Sequence, residues 1–157
     1  MINICEEIFK DNQFKDWVLE IYGDGELEAE IKNQIHNQRQ IKLKGLTNNP
    51  KKELLDASIN LNTSKYEGFS MSILEAQECG VPTISFDCWE SVHEQIISNK
   101  TGIIAKDKKE YIDKLKELML NESMLQKMSN ECKQFSNNFQ IDVIVKEWIK
   151  LFNKIDS

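Results

Sequence analysis

The sequence lacks an excess of positive charge, and this limits the partners that it can bind. Its 157 residues contain 20 Lys and Arg against 26 Asp and Glu, which gives a formal net charge of −6 and a pI near 5.1. Nucleic acids and anionic membranes attract proteins through a broad cationic field, so this composition argues against a general affinity for either. Any phosphate group must be bound locally, within what the length indicates is one domain.

Cysteine and histidine are too few and too scattered for the common metal and catalytic sites. The cysteines are Cys5, Cys79, Cys88 and Cys132. They include no CxxC pair and no short Cys/His spacing, so we predict reduced, mostly buried thiols and no bound metal. Neither His36 nor His93 has a Ser, Cys or Asp partner at a spacing that suggests a catalytic triad, and we expect His36 to be exposed.

Long apolar segments are also absent. No stretch approaches the ~20 apolar residues that span a bilayer. The N-terminal residues MINICEEIFKDN contain neither the basic segment nor the apolar segment of a signal peptide. We therefore expect a soluble, cytoplasmic domain.

Short β-rich runs alternate with longer helical patterns, which is typical of βα units that build a parallel sheet. The predicted strands are Trp17–Gly23, Ile41–Gly45, Ile59–Ser64, Pro82–Phe86 and Gly102–Ala105. The helices predicted between them are Glu26–Gln38, Lys51–Ala57, Ser70–Cys79 and Glu90–Ser98. The pattern predicts an α/β fold with one Rossmann-like, doubly wound parallel sheet over about residues 16–106.

After this region the pattern changes to a helical tail, about residues 107–157. Its predicted helices are Lys108–Leu120, Ser123–Asn137 and Ile141–Ile155, with no strand among them. The last helix has apolar residues on one side, at Val145, Trp148, Ile149 and Phe152. This face is expected to be buried, either against the same domain or against a separate partner domain.

The most informative segment runs from Thr63 to Phe86. It contains a strand end, a short loop with Gly68, a helix that begins near Ser70, and a further strand. This order places Glu67 to Ser70 at the carboxyl edge of the sheet, where open α/β folds bind ligands. A helix N-terminus has about four unpaired amides and roughly half a positive charge, so it can hold a diphosphate without a lysine.

Two carboxylates flank this helix start. Glu67 and Glu75 lie eight positions apart, which corresponds to on the order of 10 Å along a helix. That distance is about the reach from a hexose, across a diphosphate, to a ribose. Each carboxylate accepts hydroxyl hydrogen bonds, so the pair suits a sugar at one end and a ribose diol at the other.

The stretch EGFSMSILEAQECG, which begins at Glu67, resembles the donor-site motif of family-four retaining glycosyltransferases of GT-B fold, written EGFGxxxLEAxxxG. Ser70 stands where many members have glycine. Three other stretches agree in order and spacing: IYGDGELEAEI from Ile21, IKLKGLTNN from Ile41 and HEQIISNKTGIIA from His93. The chain is therefore similar to the C-terminal, nucleotide-sugar-binding domain of the group 1 glycosyl transferases, which is half of a GT-B fold.

The resemblance implies roles for particular residues. Glu67 would be the catalytic-site residue at the donor-sugar hydroxyls, and Glu75 would bind the ribose. The diphosphate would be held by the amides of Gly68, Phe69, Ser70 and Met71. Leu46 and Thr47 would lie beside the base, and Trp89 is either a core residue or part of the sugar pocket. The implied reaction moves a hexose from a nucleotide diphosphate sugar, UDP by family prevalence, to a glycan or lipid-carrier hydroxyl, with retention and without metal or cofactor.

The chain also departs from the family pattern. Members usually have a first strand, a glycine-arginine pair followed by a lysine, and an N-terminal acceptor-binding domain, and we expect all of these to be absent here. Contact with a membrane would come only through that domain. The alternatives are a truncated nucleotide-sugar-binding module without activity of its own, or half of a nucleotide-sugar epimerase or phosphorylase.

Overall fold

A computed structural model describes residues 1–155 and confirms the predicted α/β class. The strands are β1 Leu19–Tyr22, β2 Ile41–Gly45, β3 Asn60–Asn62, β4 Thr83–Phe86 and β5 Gly102–Ala105. The α-helices are α1 Ile2–Ile8, α2 Glu28–Ile35, α3 Pro50–Leu55, α4 Met71–Glu78, α5 Val92–Gln95, α6 Lys108–Leu120, α7 Glu122–Ser136 and α8 Ile141–Ile155. Each predicted strand overlaps an observed one, because short apolar runs between helical patterns are specific for buried parallel strands.

The strands form two parallel sheets, whereas the sequence predicted one. β1 pairs with β2, and β3, β4 and β5 pair in that order. In the doubly wound strand order 3-2-1-4-5-6, strand 1 lies between strands 2 and 4. Within residues 1–155, no strand pairing joins the β1–β2 pair to the β3–β4–β5 sheet. Sequence periodicity identifies strands but does not report this break in their pairing.

Helix α1 and one leucine join the two sheets. Ile4 and Ile8 of α1 pack in the main core with Ile84, Ile103 and Tyr111, which come from β4, β5 and α6. Cys5, from the same helix, packs with Leu19 and Ile41 in a smaller core under β1 and β2. The Leu61 side chain of β3 touches both cores. The sheets are therefore held together by side-chain packing instead of main-chain hydrogen bonds.

Helix α4 ends where the sequence predicts. Gly80 has a φ of +78°, a conformation that glycine adopts without steric cost. The Val81 amide donates to the Ala76 carbonyl oxygen at 2.8 Å, and this bond closes the helix end. The chain then enters β4 at Thr83, so α4 and the two strands beside it form a compact β3–α4–β4 unit.

The helical tail has the predicted boundaries to within one residue, but its last helix is not covered. α6 and α7 bury Leu115, Leu118 and Met128 against the sheet. In α8, Trp148 is 54% exposed and Phe152 is 56% exposed, and every other residue of the helix is exposed as well. The prediction that this face packs on the same domain is therefore wrong within residues 1–155, where nothing covers it. None of the helices in that range is long and apolar enough to cross a membrane.

We predict that Gly102→Ala destabilises the fold strongly. A Cβ atom on Gly102 would overlap the main-chain carbonyl oxygen of Thr83 in the neighbouring strand, and neither strand can move without disturbing the β4–β5 ladder. The free energy of unfolding should fall by at least ~2 kcal/mol, as measured by urea denaturation. Gly25→Ala is the control, because a Cβ there meets nothing within 4 Å. Equal denaturation midpoints for the two variants would contradict the packing described here.

Candidate functional site

The loop between β3 and α4, residues 63–70, is shaped by the buried side chain of Asn62. Its Oδ1 accepts a hydrogen bond from the Ser64 amide at 3.0 Å, as in an Asx turn. Its Nδ2 donates to the Ser70 Oγ at 3.3 Å. A single residue at the end of β3 thus contacts both ends of the β3–α4 loop.

A cleft of about 400 Å³ lies between this loop and the segment that follows β4. It is lined by Tyr66, Glu67, Gly68, Cys88, Trp89, Glu90, Ser91 and Glu94. We call it the carboxylate cleft, because three of these side chains are glutamates and none is a lysine or arginine. Carboxylates accept hydrogen bonds from hydroxyl groups and repel anions, so the chemistry of the lining suits a neutral polyhydroxyl ligand.

The N-terminus of α4 adjoins the carboxylate cleft through Gly68. Ser70 occupies the N-cap position but makes no capping hydrogen bond with its side chain. The Ser70 hydroxyl oxygen instead lies 3.1 Å from the Ser72 Oγ. Ser70 as a whole is only 2% exposed. The first amides of an α-helix have no intrahelical acceptor, so those of Met71 and Ser72 are the groups that an anion would meet at this helix end.

The Ser70 main chain is bound on both sides by one buried glutamine. Gln95 Oε1 accepts from the Ser70 amide at 2.9 Å, and Gln95 Nε2 donates to the Ser70 carbonyl oxygen at 2.7 Å. The Ser91 hydroxyl donates to the Gly68 carbonyl oxygen at 2.7 Å. The Ser70 amide, one of the four predicted phosphate ligands, is therefore already hydrogen-bonded in this structure.

Sequence reasoning missed Gln95 and Ser91 because both look like ordinary polar residues of a short helix. Two signals were available: the stretch HEQIISNKTGIIA, which contains Gln95 and resembles the family, and the spacing of four positions between Ser91 and Gln95, which is that of one helix face. Gln77 supports the arrangement from α4, since its Nε2 donates to the Gln95 carbonyl oxygen at 2.7 Å. Gln77 Oε1 is buried without a hydrogen-bond partner in the described structure.

Trp89 is a core residue, one of the two alternatives that the sequence left open. It packs with Ile73, Val92 and Ile96 in a small core and also lines the carboxylate cleft. Its Nε1 is buried and has no hydrogen-bond partner in the part of the chain described.

The remaining predicted residues lie outside the lining of the cleft. Glu75 is exposed on α4, and Leu46 is 73% exposed immediately after β2. Thr47 donates from its Oγ1 to Glu53 Oε1 at 3.4 Å. Glu53 also accepts from the Tyr22 hydroxyl at 2.8 Å, at the end of β1. The structure thus brings Glu67 and Gly68 into one cleft and places Thr47 in a separate polar network.

That network raises the pKa of Tyr22. Removal of the hydroxyl from water is the largest cause, followed by its hydrogen bonds to the carboxylates of Glu53 and Glu20. The hydroxyl has a single proton, so it donates to one of these carboxylates at a time. Tyr22 is therefore a neutral hydrogen-bond donor at physiological pH.

The histidines differ in their surroundings. His36 is exposed, as predicted, and its Nδ1 lies 3.0 Å from the Asn33 carbonyl oxygen. His93 Nε2 lies 2.8 Å from Asp87 Oδ1, a pair that the sequence analysis did not anticipate. Both members of this pair are exposed, next to the strand end that leads into the carboxylate cleft. Among residues 1–155, no three His, Cys, Asp or Glu side chains are grouped so that they could hold a metal ion.

Comparisons with known proteins bear on the family and the fold of the chain. A family model described as glycosyl transferases group 1 matches residues 5–135. The poly(ribitol-phosphate) alpha-N-acetylglucosaminyltransferase of Staphylococcus aureus is 28% identical over 98% of this chain. The poly(glycerol-phosphate) alpha-glucosyltransferase of Bacillus subtilis is 28% identical over 87% of it.

Solved structures give the same result. The crystal structure of TarM matches 97% of this chain with a TM-score of 0.86 and 26% identity. A variant of S. aureus TarM, crystallised with fondaparinux, alpha-GlcNAc-glycerol and UDP, matches with a TM-score of 0.82 and 28% identity. These neighbours are GT-B glycosyltransferases. The chain spans 31% of the TarM structure, and 32% and 21% of the two curated relatives, so it corresponds to a partial domain.

We predict that Cys88, which lines the carboxylate cleft, reacts first with iodoacetamide at mildly alkaline pH. Burial raises the pKa of Cys5 to about 11 and that of Cys132 to about 12, and it also raises the pKa of Cys79. The reactive thiolate is therefore scarce at these buried sites, whereas Cys88 is exposed. Mass spectrometry of the native protein should find one fast adduct, which Cys88→Ser abolishes. A fast adduct on any of the buried thiols would contradict the burial described.

Proposed function

Because the chain belongs to the glycosyl transferases group 1 family, we propose that it is the donor-binding part of a glycosyltransferase. In this proposal it holds a nucleoside diphosphate sugar, from which a hexose is transferred to a hydroxyl group of a glycan, polymer or lipid-carrier acceptor. The family match over residues 5–135 and the two glycosyltransferase relatives support this activity.

One observation carries the assignment of the site: a cleft rich in hydroxyl acceptors includes Gly68, which lies two positions before the N-cap of a helix whose first amides are hydrogen-bond donors. Glu67 and Gly68 are consecutive residues, and the first lines the carboxylate cleft while the second leads towards α4. A sugar in the cleft would meet carboxylates, and its diphosphate would meet the amides of Met71 and Ser72. This division of chemistry matches the two halves of a sugar diphosphate.

The nucleoside would extend from the diphosphate along α4. We propose that Glu75, which is exposed on this helix, accepts hydrogen bonds from the ribose hydroxyls. Leu46 and Thr47 would lie at the base. UDP is the first nucleotide to test, because a TarM variant similar to this chain was crystallised with UDP.

In the proposed reaction, the bond between the anomeric carbon and the diphosphate oxygen breaks, and the acceptor oxygen bonds to that carbon. Negative charge develops on the departing diphosphate, and the dipole and free amides of α4 would stabilise it without a metal. In this step the acceptor hydroxyl gives its proton to the departing diphosphate oxygen, which is the group that gains negative charge. We propose retention at the anomeric carbon from the resemblance of the Glu67–Glu75 motif to retaining enzymes.

The acceptor site would come from outside the described residues. We propose that a preceding domain supplies it, together with cationic groups for the phosphates, since the chain spans about a third of the TarM length. A donor-binding module without transfer activity is the second candidate, favoured by the same partial coverage. Titration of the chain with UDP, GDP, ADP and their sugars by calorimetry tests nucleotide binding, and incubation with a UDP-sugar and an acceptor tests turnover.

We predict that the two glutamates of the motif respond differently to ligand length. Glu67→Ala should leave the affinity for UDP unchanged. It should lower the affinity for UDP-glucose or UDP-N-acetylglucosamine by roughly tenfold, because charged hydrogen bonds to sugar hydroxyls are lost. Glu75→Ala should weaken UDP and the UDP-sugars by similar factors. Calorimetric titration of each variant with each ligand gives the comparison.

The control for both variants is Glu78→Ala. Glu78 lies on the same helix, is exposed, and pairs with Lys51 at 2.7 Å, a type of surface ion pair worth only ~0–1 kcal/mol. Its removal should change neither affinity. If Glu67→Ala lowers the affinities for UDP and UDP-sugar equally, the assignment of Glu67 to the sugar end is wrong.

A further inference from the structure

Helix α5 and its N-cap residue form hydrogen bonds to the main chain of two residues of the β3–α4 loop, Gly68 and Ser70. Gln95 makes a hydrogen bond to each side of Ser70, at 2.9 and 2.7 Å. Ser91, four positions earlier on the same face, donates to the Gly68 carbonyl oxygen at 2.7 Å. These contacts join two segments that are 23 to 25 residues apart in sequence.

We infer that Gln95 and Ser91 are positioning residues that hold the Gly68–Ser70 backbone so that the next amides, those of Met71 and Ser72, face the diphosphate of the donor. This inference rests on the proposed function. It assigns to α5 a part in phosphate binding that neither residue type nor the Glu67–Glu75 motif indicates.

The two hydrogen bonds to Ser70 act on adjacent peptide planes. The Ser70 amide belongs to the peptide that joins it to Phe69, and the Ser70 carbonyl belongs to the peptide that joins it to Met71. A planar carboxamide that binds both groups therefore fixes the orientation of the second plane, which carries the Met71 amide. Loss of Gln95 would leave that plane free to rotate about the Ser70 dihedral angles.

The buried surroundings of Gln95 strengthen its two hydrogen bonds to Ser70. Gln95 is fully buried, beside the apolar cluster of Ile73, Trp89, Val92 and Ile96. Water does not compete for the Ser70 groups in such a place, and leaving them without a partner is costly. The Gln95 main chain is itself held, because its carbonyl oxygen accepts from Gln77 Nε2 at 2.7 Å.

The same helix also borders the carboxylate cleft. Ser91 and Glu94 line the cleft, while Gln95 is buried and hydrogen-bonded to the Ser70 main chain. A sugar that contacts the α5 segment and a diphosphate at α4 would therefore be bound by elements that share these hydrogen bonds.

The test compares three variants with the parent chain. Gln95→Met keeps the side-chain volume but removes both bonds to Ser70. Ser91→Ala removes the bond to Gly68 from a less buried position, where the fold should tolerate the change. Thr101→Val is the matched control, because it also deprives one main-chain amide, that of Ile97, of a buried side-chain acceptor at 2.9 Å. Thr101 Oγ1 also accepts a long hydrogen bond from Gln77 Nε2 at 3.5 Å, but Gln77 keeps its 2.7 Å bond to the Gln95 carbonyl oxygen when Thr101 is replaced.

UDP is the probe, and two readouts are measured: its dissociation constant by calorimetry and the phosphorus NMR shifts of the bound diphosphate. Melting temperatures show whether each variant is folded. We expect the dissociation constant to rise roughly tenfold in Gln95→Met and about threefold in Ser91→Ala, with altered phosphorus shifts in both. In Thr101→Val the dissociation constant and the shifts should match the parent even though its melting temperature falls.

The outcomes separate the inference from the proposed function. If the parent chain binds none of UDP, GDP or ADP, the proposed function fails and the inference fails with it. If the parent binds UDP and Gln95→Met binds it equally well, with unchanged phosphorus shifts, the inference alone is overturned. Equal weakening by Gln95→Met and Thr101→Val would also overturn it, because a general loss of stability would then explain both. If Gln95→Met does not fold, the dissociation constant of Ser91→Ala decides.

Discussion

The buried main-chain groups between β3 and α4 need hydrogen-bond partners, and the candidate site depends on how this need is met. A loop that leaves a parallel strand and enters a helix has no neighbouring strand to bind its amides and carbonyls. Here the partners are side chains: Asn62 at the end of β3, Ser91 at the N-cap of α5, and Gln95 at its last residue. These side chains bind the main-chain groups of Gly68 and Ser70. The next amides, those of Met71 and Ser72, belong to the first turn of α4 and have no intrahelical acceptor.

Negative charge in the carboxylate cleft lies close in sequence to the partial positive charge at the N-terminus of α4. The chain is acidic overall, and Glu67, Glu90 and Glu94 add to the negative charge of the carboxylate cleft. An anion is therefore repelled from the cleft and attracted to the helix end beside it, where the dipole and the amides supply partial positive charge. A ligand that has a neutral, hydroxylated part next to a doubly anionic part is oriented by these two fields. A helix end would thus allow an acidic protein to hold phosphate without a cluster of cations.

Local and long-range features differed in how well the sequence predicted them. The strand at Gly102–Ala105 and the helix stop at Gly80 were predictable, because β-branched runs and a glycine C-cap act through neighbouring residues. Glu67 and Gly68 were placed in the site by a motif. Gln95 was not, because a glutamine in a helical stretch usually faces solvent and its burial arises only when α5 packs on α4. The break between the sheets was equally out of reach, since strand pairing is a long-range property.

The separation of the strands into two sheets has a consequence for the dynamics of the proposed ligand site. The β1–β2 pair is a two-stranded parallel ribbon, a unit with little stability of its own, and its connection to the larger sheet runs through α1 and Leu61. Such a unit opens locally at lower free energy than the β3–β4–β5 core. Leu46 and Thr47 follow β2, so the region proposed for the base belongs to this weaker cooperative unit. Under the proposed function, the sugar and the diphosphate would be bound beside the larger sheet, and the base beside the less stable β1–β2 ribbon. Affinity at the base end would then be scaled by the fraction of molecules in which the ribbon is docked.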